Sequence, residues 1–152
     1  MTNHREYDIL VTRLDNYDMK LTTRSEYALL ALVHLARQAD AGALVSVETI
    51  AAAQHIPAKF LELLMLSLKR ATIVRSAKGR HGGFALARPA ARISLAEVVR
   101  LFDGALAPTE SASKHFYEPT PIEKERRLLR VFKGIRNQVA HTLEHTSLAD
   151  VL

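Results

Sequence analysis

A mainly α-helical fold with one small β-hairpin wing is the class this sequence predicts, on three observations. Apolar residues recur at helical spacing, most clearly at Leu61, Leu64, Met65 and Leu68. A basic, glycine-tipped segment, Lys78-Gly79-Arg80-His81-Gly82-Gly83, lies between two short runs of strand character. A last apolar series, Leu128, Phe132, Ile135 and Val139, runs along a long segment near the end. Together these describe a winged helix-turn-helix followed by a long helix suited to dimerisation.

The expected organisation has four parts. Residues 1–18 form an N-terminal extension, 19–103 the winged helix-turn-helix, 104–121 a loop, and 122–152 a long helix with a C-terminal turn. Within the second part, Thr23 to Gln38 reads as the first helix, with Thr23 and Glu26 as a capping box. Ser46 caps a second, short helix through Ala53, with Val47 and Ile50 on its buried side. A turn over Gln54-His55-Ile56 leads to Pro57, which suits the first turn of a third helix because its missing N–H has no partner there. That helix runs to about Ala71. Lys59, Leu63, Leu66 and Arg70 fall on the side opposite its core stripe, and two leucines on an outward face call for a binding surface.

Ile73 to Ala77 and Gly83 to Arg88 read as the paired strands, and Pro89 ends the pair. Ser94 opens a fourth helix to Asp103, with Glu97 completing a second capping box, and Gly104 stops it. Ile122 to Leu143 reads as one long helix with Glu123 and Glu125 in its first turn. Its apolar residues repeat at spacings of four, three and four, the narrow seam of helix-to-helix pairing. Two coverings are open for that seam: a second subunit, or the chain's own winged helix. Thr146-Ser147 can cap a last turn.

Composition narrows the function classes. At 152 residues the chain is long enough to bury a core without crosslinks. With 48% hydrophobic residues but no apolar run near the ~20 residues of a membrane span, the expected location is the cytoplasm. Neither a signal nor a transit peptide begins with Glu6, Asp8, Asp15 and Asp18. There is no cysteine, which excludes disulfides and thiolate ligation of zinc or an iron–sulfur cluster. The net charge is +5, and its excess is local: residues 20–92 carry eleven Lys or Arg against four acids. A localised basic surface is the footprint of a polyanion binder, although a solvated face produces the same count.

With these residues in view, the chain resembles the Rrf family of bacterial winged-helix regulators. The resemblance begins at Met19-Lys20-Leu21-Thr22-Thr23-Arg24 and Tyr27-Ala28. It continues through Ile56 to Leu68, the wing Gly79 to Arg88, and Ile93-Ser94-Leu95-Ala96-Glu97, and ends near Ser147-Leu148-Ala149-Asp150. It implies a homodimer on partly palindromic double-stranded operator DNA, acting as a repressor, with the long helix crossing between subunits. It implies phosphate contacts by Arg24 and Tyr27. It places Pro57, Lys59, Phe60 and Leu63 at the start of the recognition helix, and Lys78 and Gly79 at the minor groove. Charge alone supports Lys59, Arg70, Lys78 and Arg80 as phosphate neutralisers.

Two departures from the family pattern stand out. Leu63 occupies a position where relatives often carry a base-reading glutamine, and a leucine there favours a thymine methyl. Cluster-binding relatives carry three cysteines in the loop before the long helix. Here residues 104–121 offer Thr109, Ser111, Ser113 and His115. The expectation is therefore no cofactor, with control by a partner protein, a small-molecule effector or neither.

Other motifs are weaker. His141-Thr142-Leu143-Glu144-His145 spells a zinc-peptidase signature, but catalysis also needs a third ligand, an open position and a cleft. No catalytic or metal site is expected. His34 and His55 lie near predicted packing surfaces and read as structural. The alternative to a DNA-binding regulator is a winged-helix interaction module that grips a partner protein through Leu63 and Leu66.

Overall fold

The computed structural model describes residues 21–39 and 42–152. The expected extension over residues 1–18, Met19-Lys20 at the start of the resemblance, and the Asp40-Ala41 part of the expected helix break lie outside the described residues. Among the described residues, five α-helices and one hairpin follow in order: α1 (Thr23–Arg37), α2 (Val47–Gln54), α3 (Ala58–Arg70), β1 (Val74–Ala77), β2 (Gly83–Leu86), α4 (Leu95–Asp103) and α5 (Arg126–Glu144). Short 3-10 turns occupy Ala90–Arg92, Glu110–Ala112, Pro121–Lys124 and Ala149–Val151. The predicted class, helical with a two-stranded wing, is the observed one. No described helix is long and apolar enough to cross a membrane.

The helix starts follow their caps. Thr22, not Thr23, caps α1: its hydroxyl accepts from the Ser25 N–H, and Glu26 N–H bonds the Thr22 carbonyl. The sequence reading was one residue out because two adjacent threonines offer the same chemistry. Ser46 caps α2 as expected, accepting from Thr49 N–H at 3.1 Å. Pro57 is the N-cap of α3 rather than its first helical residue. Ser94 caps α4, but Glu97 does not complete the box. Its carboxylate pairs with Arg88, which also donates to the Arg92 carbonyl at 3.0 Å and so ties the end of the wing to α4.

The core forms where α1, α2, α3, the hairpin and α4 meet. Leu32, Ile50, Leu61, Met65, Leu68, Ile73, Ile93 and Val98 are fully buried there. The helix α3 ends in a Schellman motif: Ile73 N–H reaches the Leu68 carbonyl and Thr72 N–H the Lys69 carbonyl, with Thr72 at φ 58°. The end of the chain returns to this core. Ser94 and Ser147 bridge, Leu148 N–H bonds the Ile93 carbonyl at 2.9 Å, and Leu148 is fully buried. Ser147 and Asp150 cap each other across the last turn, and the Ser147 backbone and hydroxyl hold the Asp150 carboxyl below its usual range.

The expected long helix is divided. Pro121–Lys124 is a 3-10 turn, Glu125 is the N-cap, and α5 proper is 19 residues, about 28 Å. Glu123 and Glu125 therefore precede its first turn. The reason is local: Pro121 starts a turn whose tighter pitch does not continue into the following residues. Between α4 and α5 the loop is anchored rather than free. Ser111 and Ala112 are buried, Ser111 and Thr120 share a hydroxyl hydrogen bond, and Arg136 of α5 donates to the Ala112 carbonyl at 3.0 Å.

Candidate nucleic-acid interface

The turn between α2 and α3 sets the pose of α3. His55 adopts the left-handed conformation at φ 55°, and Ile56 N–H returns to the Ala51 carbonyl at 3.0 Å. His55 is exposed, so its place is in this turn and not on a packing surface. Pro57 offers no side-chain cap, so the first-turn N–H groups of α3, including Lys59 and Phe60, are open to an anion.

The two sides of α3 differ sharply. Leu61, Leu64, Met65 and Leu68 are buried, and Lys59, Leu63, Leu66 and Arg70 are exposed, Leu63 at 64%. The outward stripe is thus two cations flanking two leucines. Glu62 lies about 60° round the helix from Lys59 and keeps the flank acidic. Phe60 is different from the others. It is half-buried, and its ring meets Tyr27 edge-on at 5.8 Å, so the pair fixes α3 against α1.

The wing stands beside α3. Its register pairs Val74 with Leu86 and Ala77 with Gly83, leaving Lys78, Gly79, Arg80 and His81 exposed at the tip. The tip closes through Gly82 N–H to the Gly79 carbonyl, with Gly79 at φ 105°. A Cβ on Gly83 would lie 2.5 Å from the Val45 carbonyl, and Gly83 sits at φ 145°. Glycine is needed there because Val45 and Phe84 exchange two backbone hydrogen bonds, at 2.8 and 2.7 Å. This bridge gives the hairpin a third backbone neighbour. The sequence reading missed it, since one residue of pairing leaves no periodicity to detect.

Arg24 is exposed on the first turn of α1, with its guanidinium 5.5 Å from the centre of the Phe102 ring. Beside it, Thr22 donates its N–H to Asp103 at 3.1 Å, and its hydroxyl bonds the same carboxylate. The end of α4 therefore positions the start of α1. Neither contact had a signal in the sequence, because the partners are about eighty positions apart.

The predicted seam residues fall on one side of α5. No residue of α5 is buried; Phe132, Ile135 and Val139 are half-buried, while Leu128 is 48% and Val131 57% exposed. At the helix end, the His141 and His145 rings lie 4.2 Å apart, and His145 Nδ1 meets the His141 carbonyl. Glu144 of the peptidase-like signature is committed to Arg100. Among the described residues no three His, Asp or Glu side chains come together as metal ligands, and the chain has no cysteine. That donor set does not fit a thiolate-held iron–sulfur cluster.

Comparison with known proteins gives this geometry a context. Residues 21–152 match the profile of the family described as Rrf2, iron-dependent transcriptional regulator. A protein of Mycobacterium tuberculosis strain H37Rv, provisionally named an HTH-type transcriptional regulator, is 38% identical over 136 residues, covering 88% of this chain and 81% of its own. The HTH-type transcriptional regulator IscR of Cereibacter sphaeroides is 30% identical over 135 residues, covering 88% of this chain and 87% of its own. Among solved structures, CymR, the global cysteine regulator of Bacillus subtilis, superposes with a TM-score of 0.68 at 26% identity, covering 87% of this chain and 95% of its own.

Proposed function

We propose that this chain, which belongs to the Rrf2 family of transcriptional regulators and is not an enzyme, represses transcription by binding operator DNA as a homodimer without an iron–sulfur cluster. One observation carries the reading. The exposed stripe Lys59, Leu63, Leu66 and Arg70 lies on a helix with an uncapped N-terminus, beside a hairpin tip bearing Lys78 and Arg80. The helix is the right size for a major groove, and its open N–H groups suit a phosphate. Lys59 donates to a phosphate or a guanine edge, Leu63 meets a thymine methyl, and the wing tip follows the adjacent backbone. Arg24 is exposed on α1, and Tyr27 on the same helix packs against Phe60 of α3. Pro57 contributes by leaving the α3 N-terminus open, and Phe60 by holding the helix angle.

The pairing of two such units rests on α5. Among the described residues its apolar seam is at most half-covered, and a second copy of the same seam would complete the cover. Repression follows by occlusion of promoter DNA. The cysteine-free composition supports a regulator that works without a family-type cluster.

Titration of operator DNA at several salt concentrations tests the interface. Lys59→Ala is expected to weaken specific binding by about 1–3 kcal/mol, and Lys78→Ala to weaken it while lowering the salt slope by about one. Unchanged affinity in both variants would exclude this groove assignment. Capture of a protein partner with no DNA retardation at low salt would instead select the interaction-module alternative, with Leu63 and Leu66 as anchors.

A further inference from the structure

A cleft of about 250 Å³ opens between the loop after α4 and the side of α5. Its charged lining comes from three elements: Arg100 on α4, Lys114 on the loop, and Arg136 and Glu144 on α5. Leu106 and Phe116 add apolar wall. Glu144, paired with Arg100, is thus set against three cationic side chains in the lining, an excess of two. Arg136 is the most informative of them. One Nη donates to the Ala112 carbonyl, but its Nε is buried with no hydrogen-bond partner. A buried donor left unpaired is costly, so Arg136, which lines the cleft, is under-satisfied.

The cleft does not compete with the dimer seam. Arg136, Asn137, Ala140 and Glu144 project from α5 about 80–180° round the helix from Leu128, whereas Phe132, Ile135 and Val139 stay within about 40° of it. The cleft thus lies round the helix from the seam, with Arg136 at the border between them.

We propose that this cleft binds a small organic dicarboxylate or tricarboxylate and passes its occupancy through α4 to the DNA-facing start of α1. The excess of two cations matches a dianion, and Leu106 and Phe116 accommodate its carbon body. The route is built from contacts already described. A carboxylate that enters competes with Glu144 for Arg100. Three residues further along α4, Asp103 holds Thr22, the cap of α1, next to Arg24. The ligand thus acts at one end of a nine-residue helix whose other contact sets a phosphate-facing segment. This second half rests on the DNA-binding reading; the binding itself does not.

The test uses the full chain at constant ionic strength. Succinate, citrate and inorganic phosphate are titrated calorimetrically into the wild type, Arg136→Gln and Lys114→Ala. Lys114 is exposed on the loop, so its replacement keeps the test valid if Arg136→Gln disturbs folding. The expected result is one carboxylate bound per chain, weakened about tenfold or more in each folded variant, with phosphate weaker than the carboxylates. If neither carboxylate binds, or if either binds all three proteins equally, the site is overturned. A saturating carboxylate is then expected to change DNA affinity at least threefold in a retardation assay; no change would refute the route through α4. Absence of any DNA retardation by the unliganded wild type would count against the DNA-binding reading, while the calorimetry still decides the cleft.

Discussion

The helices α3 and α5 carry the same kind of sequence signal and meet opposite fates. Each has an apolar stripe at helical spacing. In α3 the stripe is buried to the last residue, and the exposed side is the one that carries Lys59 and Arg70. In α5 nothing is buried, although Phe132, Ile135 and Val139 line up as regularly. The difference lies in the neighbours. Short turns hold α3 within reach of α1, α2 and the hairpin. Beyond the loop, the main contacts of α5 among the described residues are with α4 and two 3-10 turns. Periodicity says that a helix has an apolar side; the surrounding chain decides what covers it.

The strongest way to break this comparison is to damage both stripes equally. Leu68→Ala is expected to cost about 2–5 kcal/mol in urea unfolding, because it empties a fully enclosed site. Phe132→Glu should leave the winged helix folded and instead shift sedimentation from dimer to monomer. If Phe132→Glu unfolds the chain as far as Leu68→Ala does, α5 belongs to the chain's own core and the contrast is lost.

Glycines sharpen the same contrast on a smaller scale. Gly83→Ala would drive a Cβ into the Val45 backbone at a strained φ, and is expected to cost about 1–3 kcal/mol. Hydrogen exchange at Phe84 should accelerate with it; unchanged protection would mean that the wing does not depend on the Val45 bridge. Gly134 sits within α5 with nothing within 4 Å of an added Cβ. Gly134→Ala should therefore stabilise by up to ~1 kcal/mol through helix propensity. A loss instead would place a second backbone against that side of α5.

The smallest effect concerns the contact between α4 and α5. The hydrogen bond from Arg100, then the charges of Arg100, His145 and Lys114, hold the Glu144 carboxyl below its usual range. A depressed folded-state pKa means that its contribution is complete above the unfolded value and disappears as pH falls through the folded one. NMR titration should show Glu144 returning toward the ordinary carboxylate value in Arg100→Gln. No change in that titration would show that the ion pair does not hold the two helices together.

Much of the fold was legible because it rests on local chemistry. The Ser46 and Ser94 caps, the buried stripe of α3 and the glycine-tipped hairpin all follow from residues within a few positions of one another. The errors were local too: adjacent threonines displaced one cap, and Pro121 split the long helix. What stayed hidden depends on distant partners. Thr22 with Asp103, Val45 with Phe84, and Leu148 in the core each join segments that no spacing rule connects. The surface of α3 was legible in part. Lys59, Leu63 and Arg70 follow from the helical period, whereas the role of Phe60 as a packing partner of Tyr27 required the fold.

In the proposed regulator, α3 and the wing read DNA in pairs set by α5. Selection of bound duplexes from a random-sequence pool by the full chain tests it most directly. Two inverted half-sites at fixed spacing are expected, with the symmetric requirement relaxed in Phe132→Glu. Enrichment of a single unrepeated site, or of no sequence at all, would contradict it.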